Sequence, residues 1–280
     1  MSSGDLGVAA RSRGAGARDE ALHRAAEALI QAAQQARPCP PIREILPDGG
    51  LQDGYEVQQL VHERTSASRR RVGRKIGLTS AVVQQQMGVS TPDFGVLFGD
   101  MAFGDSEPIP FDRLLQPRIE AEVAFVLGAD LPERPVTTTD VLRAVEFVVP
   151  AIEVCDSRIA DWDISIFDTV ADNASAGFFV TGSSPRSLRE IGDLRDMEMV
   201  LTTNGSTISS GRGSACLGHP VNAVVWLANQ VAERGEPLAA GEIVLSGSLG
   251  ALVPAEPGAT YDAVIDGLGS VRAVFSERSS

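Results

Sequence analysis

The chain is predicted to fold as an α+β protein, with an N-terminal helical section ahead of a β-rich core. Three observations carry that prediction. Apolar residues recur at helical spacing before about residue 65 and again after Pro220, alternating runs occupy most of the remainder, and 28 glycines with 16 prolines supply the turns.

Asp19 can cap a helix over 20–36, where Leu22, Ala25, Ala26, Leu29, Ile30 and Ala33 form one apolar face. The Pro-Cys-Pro-Pro breaker at 38–41 ends it, and Leu51, Tyr55, Leu60 and Val61 mark a second helix over about 51–64. Residues 1–18 mimic a transit peptide in their arginines and small side chains. They hold no continuous apolar segment and no secretory cleavage pattern, so a flexible tail is expected. From about residue 72 the texture becomes β-rich. In RIEAEVAFVL (118–127) Ile119, Ala121, Val123, Phe125 and Leu127 face one way, and Glu120, Glu122, Ala124 and Val126 the other. Residues 144–155 give a second strand, in which Pro150 demands an edge or a bulge. Asn204-Gly205 between two short runs predicts a hairpin. Pro220 opens a helix lined by Val221, Val224, Val225, Ala228 and Val231, which Gly235 closes. The runs IVLSG, YDAVI and SVRAVF return to strand. With no repeat of fixed period and no linker after residue 40, the division is a tail at 1–18, a helical section at 19–70 and a core at 71–280.

Hydrophobic side chains at 43% and charged ones at 22% fit a soluble globular chain and exclude disorder or collagen. Lysine and arginine number 24 against 37 acidic residues, and the net charge of −13 has the wrong sign for nucleic acid or an anionic membrane. A small-molecule partner is favoured. No apolar run reaches the roughly 18 to 20 residues that cross a bilayer. Cys39, Cys155 and Cys216 fit neither a zinc cluster nor a disulfide framework and read as reduced, structural thiols of a cytoplasmic protein.

Glu120 and Glu122, two apart on one strand, share a face at roughly 6.5 to 7 Å between Cα atoms. Pattern alone favours a solvated sheet face for them. Glu153 changes that balance, because a carboxylate in the apolar run AIEVC needs a cation or a donor to offset its desolvation. Three carboxylates without imidazole or thiolate make a hard oxygen site, suited to Mg²⁺ or Mn²⁺ rather than structural zinc. Lys75 lies near Arg69, Arg70, Arg71 and Arg74, which read as a solvated basic face. Beside Ile76 and Gly77 it is expected to point inward, where burial would depress its pKa. Asp93 in STPDFG fits either a turn or a site role. His23 and His62 fall on helix surfaces, and His219 reads as a helix-start or interface residue rather than a base. There is no G-x-S-x-G elbow, P-loop or G-x-G-x-x-G.

Together GRKIGLTS (73–80), QQQMGVSTPDFGVLFGDM (84–101), QPRIEAEVAFVL (116–127), PAIEVCDSRIADWDISIFDTVADNASAGFFVTG (150–182) and SSGRGSACLGHPVNAVVWLA (209–228) closely resemble the 2-keto-4-pentenoate hydratases of the fumarylacetoacetate hydrolase superfamily. The resemblance runs from about residue 40 to 275. It implies a rolled mixed β-sheet core and a Mg²⁺ or Mn²⁺ site at Glu120, Glu122 and Glu153. It also implies proton-transfer and water-orienting roles for Lys75 and Asp93, and a substrate-binding role for Ser175. The implied reaction is hydration of 2-hydroxypenta-2,4-dienoate to 4-hydroxy-2-oxopentanoate in aromatic-ring catabolism, by a homo-oligomer that can associate with a pathway decarboxylase or aldolase. The related 4-oxalocrotonate decarboxylases are the alternative. They tend to read His-Pro-Lys before the E-A-E strand and Asp-Ser-Arg-Tyr after the third glutamate, where this chain has Gln116-Pro117-Arg118 and Asp156-Ser157-Arg158-Ile159. A non-catalytic metal-binding subunit of a partner enzyme is a third reading, and it gives Lys75, Asp93 and the three glutamates no reason to coexist.

Overall fold

The computed structural model describes residues 5–65, 68–80, 84–85, 91–133 and 135–279, with side chains from residue 16 onward. In chain order the elements are α1 (Asp5–Gln34), α2 (Leu51–Thr65), β1 (Arg71–Gly77), β2 (Asp93–Phe98), β3 (Ala102–Gly104), β4 (Pro108–Ile109), β5 (Pro117–Leu127), α3 (Thr138–Ala144) and β6 (Val145–Asp156). They continue with α4 (Ile166–Ala171), β7 (Ala176–Thr181), β8 (Glu198–Thr203), β9 (Ser206–Arg212), α5 (Pro220–Glu233), β10 (Ile243–Leu245), β11 (Val253–Pro254), β12 (Thr260–Ile265) and β13 (Gly269–Phe275).

These elements fall into two compact units, one of Met1–Ser68 with Ser157–Asn173 and the other of Arg69–Asp156 with Ala174–Ser280. In the first, the predicted stripe of α1 buries Leu22, Ala25, Ala26 and Leu29 in a core with Ile42, Val57, Ile159 and Phe167. α1 begins at Asp5 rather than after Asp19. Four alanines and three arginines among residues 8–18 have high helix propensity and favour this N-terminal extension, against the cost of Gly14 and Gly16.

The second unit holds the thirteen strands found among the described residues. An eight-stranded mixed sheet runs β2-β1-β10-β5-β6-β7-β3, with β11 also on β5, and a five-stranded sheet runs β4-β13-β12-β8-β9. β1 with β10, β3 with β7 and β4 with β13 are parallel pairs. The larger sheet rolls on itself, since β2 at one edge comes back beside β7 near the other.

Local chemistry explains most of the connections. Asn204 and Gly205 have φ of 49° and 76°, the left-handed pair a tight two-residue hairpin needs between β8 and β9. His219 caps α5, its Nδ1 accepting from the Val221 N–H at 3.0 Å, and Pro220 fills the first turn. Pro150 departs from expectation, because β6 is a central strand between β5 and β7 and its bulges lie elsewhere. The β7 ladder ends at Ala151 opposite Thr181, so the N–H that Pro150 lacks is not required, while its carbonyl still accepts from Gly182 at 2.8 Å.

Candidate metal centre and active site

Strand register brings the charged residues to one face. Glu120 on β5 lies opposite Glu153 on β6, and Glu122 and Cys155, each two residues along, point the same way. Lys75 on β1 pairs with Leu245 on β10, which pairs with Ala124 on β5, so Lys75 shares the face of Glu120 and Glu122. On the other side of β1, Lys75 pairs with Gly95 and Gly77 with Asp93, which adds Asp93. Its assignment to strand β2 decides against a simple turn.

Between β1 and β6 stand β10 and β5, a separation of roughly 14 Å in a flat sheet. Lys75 Nζ nonetheless lies 3.0 Å from Glu153 Oε1, because the face is the inside of the roll. Lys75 also donates to the Ala174 carbonyl at 2.8 Å. That carbonyl sits in a turn where Asn173, Ala174 and Ser175 have φ of 55°, 50° and 53°, a conformation that costs non-glycine residues of order 1 kcal/mol or more each. The Ser175 hydroxyl beside it is buried without a hydrogen-bond partner. A Cβ on Gly77 would fall 2.2 Å from Asp93 Oδ1 and 3.5 Å from Lys75 Nζ, so glycine is what leaves room for both groups.

None of these groups faces bulk water. Glu122 and Glu153 are fully buried and Lys75 is 3% exposed, which excludes the solvated-face reading of the glutamates. Glu122 Oε2 accepts from the Gly247 N–H at 2.7 Å, while Glu122 Oε1 and Glu153 Oε2 are buried with no hydrogen-bond partner. Burial, then Glu153 and Glu120, push the Glu122 carboxyl well up, and burial with Glu120 raises Glu153 despite Lys75. Lys75 moves opposite to expectation. Burial alone pulls it down, but Glu153 and the other negative groups outweigh that and hold the ammonium well above the ordinary lysine value.

Four carboxyl groups, Glu120, Glu122, Glu153 and Asp93, thus surround one ammonium, an excess of three negative charges if all ionise. A divalent cation reduces that excess to one, and the bare oxygens of Glu122 and Glu153 supply ligands of the hard type that such an ion takes. The residues present therefore fit the group. One grouping within this face includes a thiol: Glu120, Glu153 and Cys155 offer atoms within 4.8 Å of one another. The sequence places Cys155 two residues from Glu153 on one strand and so on the same face, where the structure finds a thiol read from spacing as structural. Its thiol is pushed well up by burial and by Glu153.

The arginine expectation holds only at the surface. Arg69 pairs with Asp100 and lies over Phe98, and Arg71 reaches Glu236 and Glu242. Arg74 is 1% exposed, since β1 is covered on both faces, and it pairs with Glu236. Burial lowers its pKa.

Residues 69–276 match the family model for the C-terminal domain of fumarylacetoacetate (FAA) hydrolase. The chain belongs to the fumarylacetoacetate hydrolase family. Within the family it is 53% identical over 252 residues to the 2-keto-4-pentenoate hydratase of Paraburkholderia xenovorans strain LB400, covering 90% of this chain and 93% of that one. It is 44% identical over 255 residues to a 2-hydroxyhexa-2,4-dienoate hydratase of Comamonas testosteroni, covering 89% and 95%. The 4-oxalocrotonate decarboxylase of Pseudomonas putida G7, solved with magnesium and adipate, superposes with a TM-score of 0.87 at 37% identity over 92% of this chain and 98% of that one. A fumarylpyruvate hydrolase of Pseudomonas aeruginosa shares the family fold at a TM-score of 0.61 and 15% identity, over 75% and 91%.

Proposed function

We propose that this chain is a metal-dependent hydro-lyase that hydrates 2-hydroxypenta-2,4-dienoate (2-keto-4-pentenoate) to 4-hydroxy-2-oxopentanoate in aromatic catabolism. The observation that carries the reading is a buried ammonium and three buried glutamates on one face, in a chain 44 to 53% identical to hydratases of such dienoates. Glu120, Glu122 and Glu153 would hold Mg²⁺ or Mn²⁺. When bound, the cation supplies positive charge against the carboxylate and adjacent oxygen of a 2-oxo acid, where negative charge develops as protons move along the conjugated chain.

The chain's own groups do the rest. Ketonisation places a proton on C5 and leaves a C3–C4 double bond; water oxygen then bonds C4 and a proton reaches C3. Lys75, kept as an ammonium by its acidic neighbours, is suited to donate a proton or to offset developing charge at Nζ, and is a poor base. Asp93, across from Gly77, is the group to orient the water and take its proton. The bare Ser175 hydroxyl would bind the substrate carboxylate. A cytoplasmic homo-oligomer that can associate with a pathway decarboxylase or aldolase completes the reading, and no described helix is long and apolar enough to cross a membrane.

Purified protein incubated with Mg²⁺ and freshly generated 2-hydroxypenta-2,4-dienoate should consume dienoate absorbance and yield the 4-hydroxy-2-oxo acid. The likeness to the decarboxylase structure supports a second reading. Rapid CO₂ release from 4-oxalocrotonate, without hydration of the dienoate, would favour it. Light scattering tests the assembly, since a mass near 29.5 kDa would mean a monomer.

A further inference from the structure

Cys155 has no part in the chemistry above, yet it lies inside the cluster. Its Sγ is 3.8 Å from Glu120 Oε1, and one ligand atom each from Glu120, Glu153 and Cys155 lies within 4.8 Å of the others. Donors that each sit about 2.0 to 2.5 Å from a shared ion are separated by no more than about 5 Å, so these three can meet on one ion. Glu153 Oε2, fully buried and without a hydrogen-bond partner, is an independent sign that the cluster is incomplete without a ligand. Register fixes the thiol there, because Cys155 follows Glu153 by two residues on a central strand.

A hard cation gains little from sulfur, whereas a soft or borderline cation gains most from it. We propose that Cys155 makes this centre a mixed carboxylate–thiol site that captures thiophilic divalent cations such as Cd²⁺ or Zn²⁺, through Cys155 Sγ with Glu120 and Glu153. The inference rests on reading the buried carboxylate face as a cation site. As the sulfur–metal bond forms, the thiol proton leaves to solvent. Such ions would displace Mg²⁺ or Mn²⁺ and oppose turnover, so the same pocket of charge that serves the reaction would make it sensitive to thiophilic metals.

The test uses the full chain loaded with Mn²⁺ and titrated with Cd²⁺. Mn²⁺ release is followed by electron paramagnetic resonance, and the thiolate-to-cadmium charge-transfer band by ultraviolet absorbance. The band should rise in step with Mn²⁺ release and saturate at one ion per chain. Cys155→Ser should lose the band, and its Cd²⁺-to-Mn²⁺ affinity ratio should fall by about tenfold or more, the scale on which lost metal-site contacts act. Release of Mn²⁺ by Cd²⁺ with no band overturns the inference and leaves the cation site standing. A band that survives in C155S reports Cys39 or Cys216 and also overturns it. Failure to bind either ion overturns the cation site itself. Should C155S not fold, the one-for-one coupling of band and Mn²⁺ release in the unsubstituted chain still decides, because a thiol remote from the centre would give a band without displacing Mn²⁺.

Discussion

In the helical unit, fully buried Asp168 is met on every side: it accepts from the Arg43 N–H and guanidinium at 2.9 and 2.7 Å, and from the Ser165 N–H and hydroxyl at 2.8 and 2.7 Å. In the β unit, equally buried Glu122 has one protein donor, the Gly247 N–H, and Glu153 has Lys75. The cost of burying a carboxylate is similar in both places, so the difference lies in what offsets it. Donors fixed by the fold offset it at Asp168, where the carboxylate is structural. At Glu122 and Glu153 the fold leaves oxygens bare, and the acids are suited to an ion that is not part of the chain. Asp156, three residues beyond Glu153 on the same strand, belongs with Asp168, since it accepts from the Leu115 and Gln116 N–H groups at 3.0 and 2.7 Å.

The sharpest way to break the comparison is at Lys75. Lys75→Met should lower kcat by about 10² to 10⁴ in a steady-state assay while leaving Mn²⁺ affinity nearly intact, and Lys75→Arg should not rescue it, because a guanidinium exchanges protons poorly near neutral pH. A Met variant with full turnover would return Lys75 to a packing role. Next in size, Glu153→Gln or Glu122→Gln should weaken Mn²⁺ binding in calorimetry by well over tenfold, each lost charge–cation contact being worth on the order of 1.5 to 3 kcal/mol. Asp168→Asn sharpens the other side: denaturant melts should show a loss of about 1.5 to 3 kcal/mol with Mn²⁺ affinity unchanged. The smallest effect has the opposite sign. In EDTA, Glu122→Gln should melt at or above the wild-type temperature, a gain of about 1 kcal/mol, because it removes a buried carboxylate with too few donors.

Much of this contrast is legible in the residues. The alternation of 118–127 gives Glu120 and Glu122 a common face, and Glu153 stands out as an acid in an apolar run. Lys75 is readable as inward from its neighbours Ile76 and Gly77. What the chain does not declare locally is the roll. Whether β5 has a wet face, whether Arg74 is buried and whether Lys75 meets Glu153 all depend on pairings between strands distant in sequence, and neither periodicity nor spacing encodes those. The direction of the Lys75 shift fails for the same reason, since burial was foreseeable and the number of acids around it was not. That Cys155 adjoins two carboxylates is not legible locally, because a cysteine two residues from a glutamate joins such a cluster only when a second acid lies opposite that glutamate, and Glu120 on β5 does so. Pro150 misled because local rules forbid proline where a ladder bond is needed, and here the neighbouring ladder stops one residue short.

A divalent cation is expected to complete the bare carboxylates of the rolled sheet. The most direct measurement is the melting temperature of EDTA-stripped protein as Mg²⁺ is added, for wild type and Glu153→Gln side by side. A ligand that binds only the folded state stabilises it by RT ln(1 + [L]/Kd), about 2.7 kcal/mol at a hundredfold excess over Kd. The wild-type melting temperature should rise with Mg²⁺ concentration, and the Gln variant should largely lose that rise. Identical, Mg²⁺-independent melts for both proteins, with dienoate turnover surviving EDTA, would contradict it.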